Sequence, residues 1–316
     1  RPSGRGRAKS DSSEAGRGGG ATGSPAPGSP YEGVEYDPGR DEIASSGQAK
    51  VFRGKHRGRD VAVKVFHVHR DDRRDYKAEL WALMRVGNHD NLIDILDFFE
   101  SPNPCIVMPL VAGCTLFDYL GRKAAAGASL TDGEVGRVAL GIAEGLHHLH
   151  RAGFVHRDIK TPNIMMRLPE QQPVIIDFGL AKRLEAGQQQ GGGPGAGAVL
   201  RTLGVKGTLP WMAPEMAKQS RWGVASDVYA FGIVLWELMS CRVPYDDMDW
   251  TKDQMMSFVG RGVRPDLKLC GKRSDDLMLL MQSCWGPRPE RRPSMDKVVQ
   301  LLRLVVGDNA SSPSSS

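Results

Sequence analysis

Four residues in one short region could do chemistry together. Asp158, Lys160 and Asn163 lie in the stretch His156-Arg157-Asp158-Ile159-Lys160-Thr161-Pro162-Asn163, and Asp177 opens an Asp-Phe-Gly triplet fourteen residues after Asn163. A carboxylate can meet a hydroxyl proton, a lysine can hold phosphate, and an amide oxygen with a second carboxylate suits a hard cation. Phosphoryl transfer needs these parts, because its catalysis is largely positioning and charge neutralisation around a triphosphate and Mg²⁺. His-Arg-Asp alone would be weak evidence. The order HRD-x-K-x-x-N, then DFG, then Ala213-Pro214-Glu215 is specific.

This set resembles the motifs of eukaryotic protein kinases. Lys160 and Gly207-Thr208 are similar to serine/threonine kinases, whereas Trp211-Met212-Ala213-Pro214-Glu215, Cys284-Trp285 and Arg291-Arg292-Pro293 are closer to tyrosine kinases. The mixture resembles the tyrosine-kinase-like group, Raf-like or mixed-lineage-like, over about residues 36–305. The resemblance implies an α+β fold of two lobes: a small β-rich N-lobe with one main helix and a larger, mostly helical C-lobe. It implies that Asp158 orients the substrate hydroxyl as catalytic base, that Lys160 neutralises the γ-phosphoryl group, and that Asn163 and Asp177 bind Mg²⁺. Lys64, ending Val61-Ala62-Val63-Lys64, would hold the α- and β-phosphates of ATP with Glu79 as partner, although Asp75 lies on a neighbouring helix face. Met108 takes the gatekeeper position. The Pro109 carbonyl and the Val111 N–H would meet adenine, between Val51, Ala62 and Met165. His156, Phe178, Leu83 and Ile95 match the regulatory spine, Glu215 would pair with Arg292, and Asp227 would anchor the catalytic-loop backbone.

One part departs from the pattern. Aligned on Val51, the three glycines expected in the nucleotide loop fall at Ala44, Ser46 and Ala49, with Gly47 between them. Glycine there lets backbone approach phosphate and reach positive φ. The substitution predicts a weaker loop grip on ATP and leaves the other phosphate and metal ligands in place.

The elements that must position these residues are legible by pattern. Residues 36–109 read mostly as strand, with Lys50–Gly54 and Asp60–Phe66 as β-branched or apolar runs and Lys55–Arg59 as the turn between them. A helix from about Arg73 to Val86 carries apolar Leu80, Leu83 and Met84. After the hinge at 109–113, residues 114–305 read as helical. Thr131 and Glu134 have capping-box spacing, Val135, Val138, Ile142, Leu146 and Leu149 make one stripe, and Gly153 suits the position after the helix end. Asp227–Ser240 is apolar almost all round, the pattern of a buried helix. His147, His148 and His150 cluster at a helix end without a cysteine or acidic cluster, so charge at the helix dipole is favoured over a metal site.

At 316 residues, 40% hydrophobic and 25% charged, the composition is that of an ordinary globular chain. Five scattered cysteines without a CxxC pair argue against a zinc site or a disulfide framework, and fit a reducing, cytoplasmic setting. The most apolar helix candidate is too short to span a membrane and carries Glu237. A chain opening at Arg1 rather than Met is compatible with a fragment. Residues 1–32 and 306–316 read as disordered tails. The Arg/Gly-rich first tail reads as a solvated segment rather than a nucleic-acid arm. The functional expectation is ATP- and Mg²⁺-dependent phosphorylation of serine or threonine in protein substrates. The alternative is a pseudokinase-type nucleotide-binding scaffold. Between Gly179 and Ala213 the only hydroxyl side chains are Thr202 and Thr208. Thr208 is expected at the catalytic loop, and Thr202 as the target of an upstream kinase, its phosphate docking on Arg157 and Lys182.

Overall fold

The computed structural model describes residues 29–67, 73–184, 200–201, 207–219 and 221–310. Thr202 lies outside the described residues, as do residues 1–28 and 311–316. Strands β1 (Val34–Glu35), β2 (Glu42–Ser45), β3 (Ala49–His56), β4 (Arg59–Phe66), β5 (Asp97–Phe99) and β6 (Cys105–Pro109) form one antiparallel sheet in the order β1-β3-β4-β6-β5, with β2 also on β3. Helix α1 (Arg74–Val86) buries Tyr76, Glu79, Leu80 and Leu83, whereas Met84 is exposed. The β3–β4 hairpin is tighter than the sequence pattern suggests. Both strands run into the predicted turn, which shrinks to Arg57 at φ 50° and Gly58 at φ 77°. Two residues at positive φ match the twist of paired strands.

The larger lobe follows. It contains β7 (Gly113–Thr115), α2 (Leu116–Ala125), α3 (Asp132–Arg151), β8 (Phe154–Val155), β9 (Ile164–Arg167), β10 (Gln172–Ile175), β11 (Lys182–Arg183) and β12 (Leu200–Arg201). After these come α4 (Pro214–Gln219), β13 (Arg221–Trp222), α5 (Val224–Ser240), α6 (Lys252–Gly260), α7 (Asp275–Cys284) and α8 (Met295–Ala310). This is the two-lobed protein-kinase fold. Helix α3 opens on the Thr131–Glu134 capping box and ends before Gly153 at φ 80°. Its stripe Val135, Val138, Ile142, Leu146 and Leu149 is wholly buried. Each such side chain is worth roughly 1.5–3 kcal/mol of burial. Helix α5 is buried on every side from Ser226 to Met239, so it forms the axis on which the catalytic loop rests.

The edges of the folded part lie beyond the sequence boundaries. Tyr31 is buried, stacks near Tyr36 and Phe99, and donates its hydroxyl to the Asn103 carbonyl. An aromatic ring can join the core from a segment whose other residues are polar, which composition averages away. At the other end α8 continues to Ala310. No helix among the described residues is long and apolar enough to cross a membrane.

Candidate active site

Strand β4 alternates, with Val61 and Val63 turned into one buried face while Ala62 and Lys64 face the other way. That puts Lys64 above α1. Its Nζ lies 2.6 Å from Glu79 Oε1 and 3.1 Å from Asp177 Oδ1. Glu79 is 1% exposed, whereas Asp75 points to solvent, so the fold selects between two carboxylates that the sequence leaves as neighbours. Burial would pull the Lys64 ammonium down, but Glu79 and Asp177 outweigh it and hold it above its usual value. Burial pushes the Glu79 carboxyl up, opposed by Lys64. Asp177 goes the other way. Its burial is outweighed by Lys64 and by the Gly179 N–H, which leaves it lowered and ionised.

The catalytic loop follows β8 and is gripped from beneath by α5. Asp227 accepts the N–H groups of His156 (2.8 Å) and Arg157 (2.9 Å) and the His150 ring (2.8 Å). No group of three His, Cys, Asp or Glu able to hold a metal occurs among the described residues, and His150 is committed to Asp227 instead. Arg157 adopts φ 74°, a left-handed conformation costly for a non-glycine residue. The Asp227 bond and the Trp222 ring, 4.3 Å from the guanidinium, hold it there. Burial lowers the His156 imidazole, so it is neutral. Its Nδ1 accepts the Asp158 N–H, and its ring meets Phe178 edge-on at 5.3 Å. Leu83 is buried in the same core, with Ile95 packed against it.

At the end of this loop Asp158 is fully engaged. Lys160 Nζ lies 2.7 Å from its Oδ2, and Thr208 Oγ1 donates to its Oδ1 at 3.0 Å. Lys160 also donates to Thr208 at 2.7 Å, closing a triangle between the catalytic loop and the segment before Ala213. Asn163 Nδ2 donates to the Asp158 carbonyl and to Oδ2, both at 2.9 Å. The amide is thereby oriented, and its Oδ1 has no protein partner among the described residues. Asp177 Oδ1 is taken by Lys64 and Gly179, and its Oδ2 likewise has no partner among the described residues. Two hard oxygens fit Mg²⁺, which keeps waters and phosphate oxygens for the rest of its shell. When bound, Mg²⁺ would neutralise phosphate charge.

Between the lobes is a cavity of about 600 Å³. Ala44, Val51, Ala62 and Met165 line it, as do Met108, Pro109 and Val111 from the hinge and Lys64, Asn163 and Asp177 from the polar end. Gly47 does not. It sits at the tip of the β2–β3 turn, where an added Cβ would meet nothing within 4 Å. Gly113, past the hinge, allows a close approach: a Cβ there would come 1.8 Å from the Met166 carbonyl oxygen. Below the site, Arg292 makes a two-pronged pair with Glu215 at 2.6 and 2.9 Å.

Sequence reasoning missed Glu237. It lies inside α5, fully buried, and accepts hydrogen bonds from Thr161 Oγ1 (2.7 Å) and Trp211 Nε1 (2.6 Å). It ties the catalytic loop to the segment before Ala213. The one signal for it was an acid inside an otherwise apolar helix.

A loop carboxylate held by Lys160, Asn163 and Thr208, beside an interlobe cavity lined by Lys64, Asn163 and Asp177, is an arrangement of the protein-kinase class. The family model described as protein tyrosine and serine/threonine kinase matches residues 40–302, and the chain belongs to that family, on its tyrosine-kinase-like side. Human "Mitogen-activated protein kinase kinase kinase 11" is 32% identical over 281 residues, covering 83% of this chain and 30% of its own length. Arabidopsis thaliana "Serine/threonine/tyrosine-protein kinase HT1" is 30% identical over 270 residues, covering 83% and 64%. "Serine/threonine-protein kinase STY17" of the same plant is 27% identical over 271 residues, covering 84% and 44%. The chain therefore spans between 30% and 64% of the length of these relatives.

Proposed function

We propose that this domain transfers the γ-phosphoryl group of ATP, with Mg²⁺, to serine or threonine hydroxyls of protein substrates in a signalling pathway. The observation that carries the reading is the closed Lys64–Glu79–Asp177 cluster, which sets a phosphate-binding ammonium beside a cation ligand at one end of the cavity. Asp158 orients the acceptor hydroxyl and takes its proton. Lys160, held by Thr208, meets charge developing on the transferred group. Ala44, Val51, Ala62, Met108 and Met165 enclose the base, and the Pro109 carbonyl and Val111 N–H address its edge. The same closed cluster weighs against a catalytically silent scaffold. An upstream kinase acting on Thr202, with Arg157 receiving the phosphate, is the proposed activation step. In support, Arg157 Nε and Nη2 are buried with no hydrogen-bond partner among the described residues. All five cysteines are buried and unpaired, which supports a cytoplasmic location.

The test is phosphate incorporation from labelled ATP into a serine/threonine peptide library. Asp158→Asn is expected to lower kcat by about 10²–10⁴, with Mg·ADP still raising Tm as in wild type. Equal incorporation by both proteins would overturn the assignment of Asp158. Absence of incorporation by phosphorylated wild type would overturn the activity.

A further inference from the structure

The loop that lacks its glycines is not an open loop. Ser46 N–H donates to the Ala49 carbonyl at 2.8 Å, closing a four-residue turn. Inside that turn the Ser46 hydroxyl accepts the N–H of Gln48 at 3.3 Å and of Ala49 at 3.1 Å, and donates to the Ala49 carbonyl at 3.1 Å. Ser46 and Ala49 both line the interlobe cavity. The turn is also fastened to the sheet, because His67 N–H donates to the Gln48 carbonyl at 2.8 Å. It faces the charged end of the site: Gln48 Oε1 lies 3.8 Å from where a Cβ on Gly179 would stand, beside Asp177 and Glu79.

Successive backbone N–H groups converging on one oxygen form a concave anion site. Here the oxygen in that position belongs to the chain itself. A glycine at 46 would leave the two N–H groups free for a phosphate oxygen, whereas serine supplies an internal substitute. We propose that Ser46 is a positioning residue that caps the nucleotide loop from within, so that a polyphosphate must displace its hydroxyl from the Gln48 and Ala49 amides to gain the loop's grip. The consequence is selective. Nucleoside recognition at the hinge is untouched, and only the phosphate contribution to binding is reduced. This rests on the nucleotide-binding reading above.

The experiment uses the whole chain and the variants Ser46→Ala and Ser46→Thr, with adenosine and Mg·ADP titrated calorimetrically. Amide hydrogen exchange at Gln48 and Ala49 is followed in the nucleotide-free protein. A hydrogen bond of this kind is worth about 1 kcal/mol net, and about 1.4 kcal/mol is tenfold in affinity. Ser46→Ala should therefore exchange faster at both amides and bind Mg·ADP roughly five- to tenfold tighter, with adenosine affinity unchanged. Ser46→Thr, which keeps the hydroxyl, should match wild type in both readouts. Unchanged exchange in Ser46→Ala would overturn the internal cap. Unchanged or weaker Mg·ADP binding would overturn the competition, the weaker case meaning that the hydroxyl serves phosphate directly. Wild type that binds neither adenosine nor Mg·ADP would overturn the nucleotide reading, a result distinct from either.

Discussion

Glu237 offers the sharpest test of how the buried axis supports the site. Burial without a basic partner pushes its carboxyl from 4.5 to about 8, with Trp211 and Thr161 opposing only partly. In the folded chain the group is therefore a neutral acid at physiological pH, while in the unfolded chain it ionises near its ordinary value. Below about pH 4.5 both states hold the proton and the group is indifferent. Between pH 4.5 and about 8 the folded state alone holds it, so stability falls as pH rises through that window and levels off above it. At about 1.36 kcal/mol per pH unit, the full window is worth roughly 4–5 kcal/mol. Glu237→Gln imitates the neutral acid: its carbonyl can accept from Trp211 while its NH₂ donates to Thr161 Oγ1. The variant should match wild type near pH 5 and be more stable near pH 8. With about 2–4 °C of Tm per kcal/mol in a domain of this size, the gap should open by roughly 10 °C or more. The assay is thermal unfolding of both proteins in steps from pH 5 to pH 8. Parallel curves would refute the neutral carboxyl. A variant less stable than wild type at every pH would mean that the two donors are held by an ionised group.

Two further outcomes follow from the geometry below and beside the cavity. Arg292→Ala removes one side of the buried Glu215 pair and strands the carboxylate, at a cost of about 3–5 kcal/mol, measurable as a lower Tm. The double variant Glu215→Gln/Arg292→Met should recover much of it, and a double variant no better than the single one would assign the loss to packing. Gly113→Ala puts a Cβ 1.8 Å from the Met166 carbonyl oxygen, so the β7–β9 pairing must shift. An overpacked site typically costs about 1–3 kcal/mol, so Tm should fall by several degrees and adenosine affinity with it. A wild-type Tm would show that the hinge backbone yields freely.

The chemistry was legible where it depends on residue type at short range. Asp158, Lys160 and Asn163 share one loop, so their spacing, followed by Asp177-Phe178-Gly179 and Ala213-Pro214-Glu215, carries the resemblance to a phosphotransfer set, and Lys64 stands out as a charge inside a β-branched run. Helix α3 was equally plain, since its cap and its stripe are local patterns. The hairpin turn was read too long because Arg57 at positive φ is invisible to residue-type rules. Of the apolar Leu80, Leu83 and Met84 of α1, the fold buries the two leucines beside Tyr76 and Glu79 and leaves Met84 in solvent.

What the tertiary structure alone decided are the states and partners of those residues. The sequence points to Glu79 as the partner of Lys64, with Asp75 on a neighbouring helix face, and packing of α1 against the sheet buries Glu79 and exposes Asp75. Glu237 looked like an interruption of an apolar helix. Its proton is set by the exclusion of water, and its two donors stand 76 and 26 residues away along the chain. The missing glycines predict a weaker loop grip on ATP, and the folded turn adds that the Ser46 hydroxyl accepts the Gln48 and Ala49 N–H groups. Residue type and spacing determine which chemical groups a chain can offer. Which proton each group holds, and which groups spend their hydrogen bonds on one another, depends on burial and on contacts between distant segments.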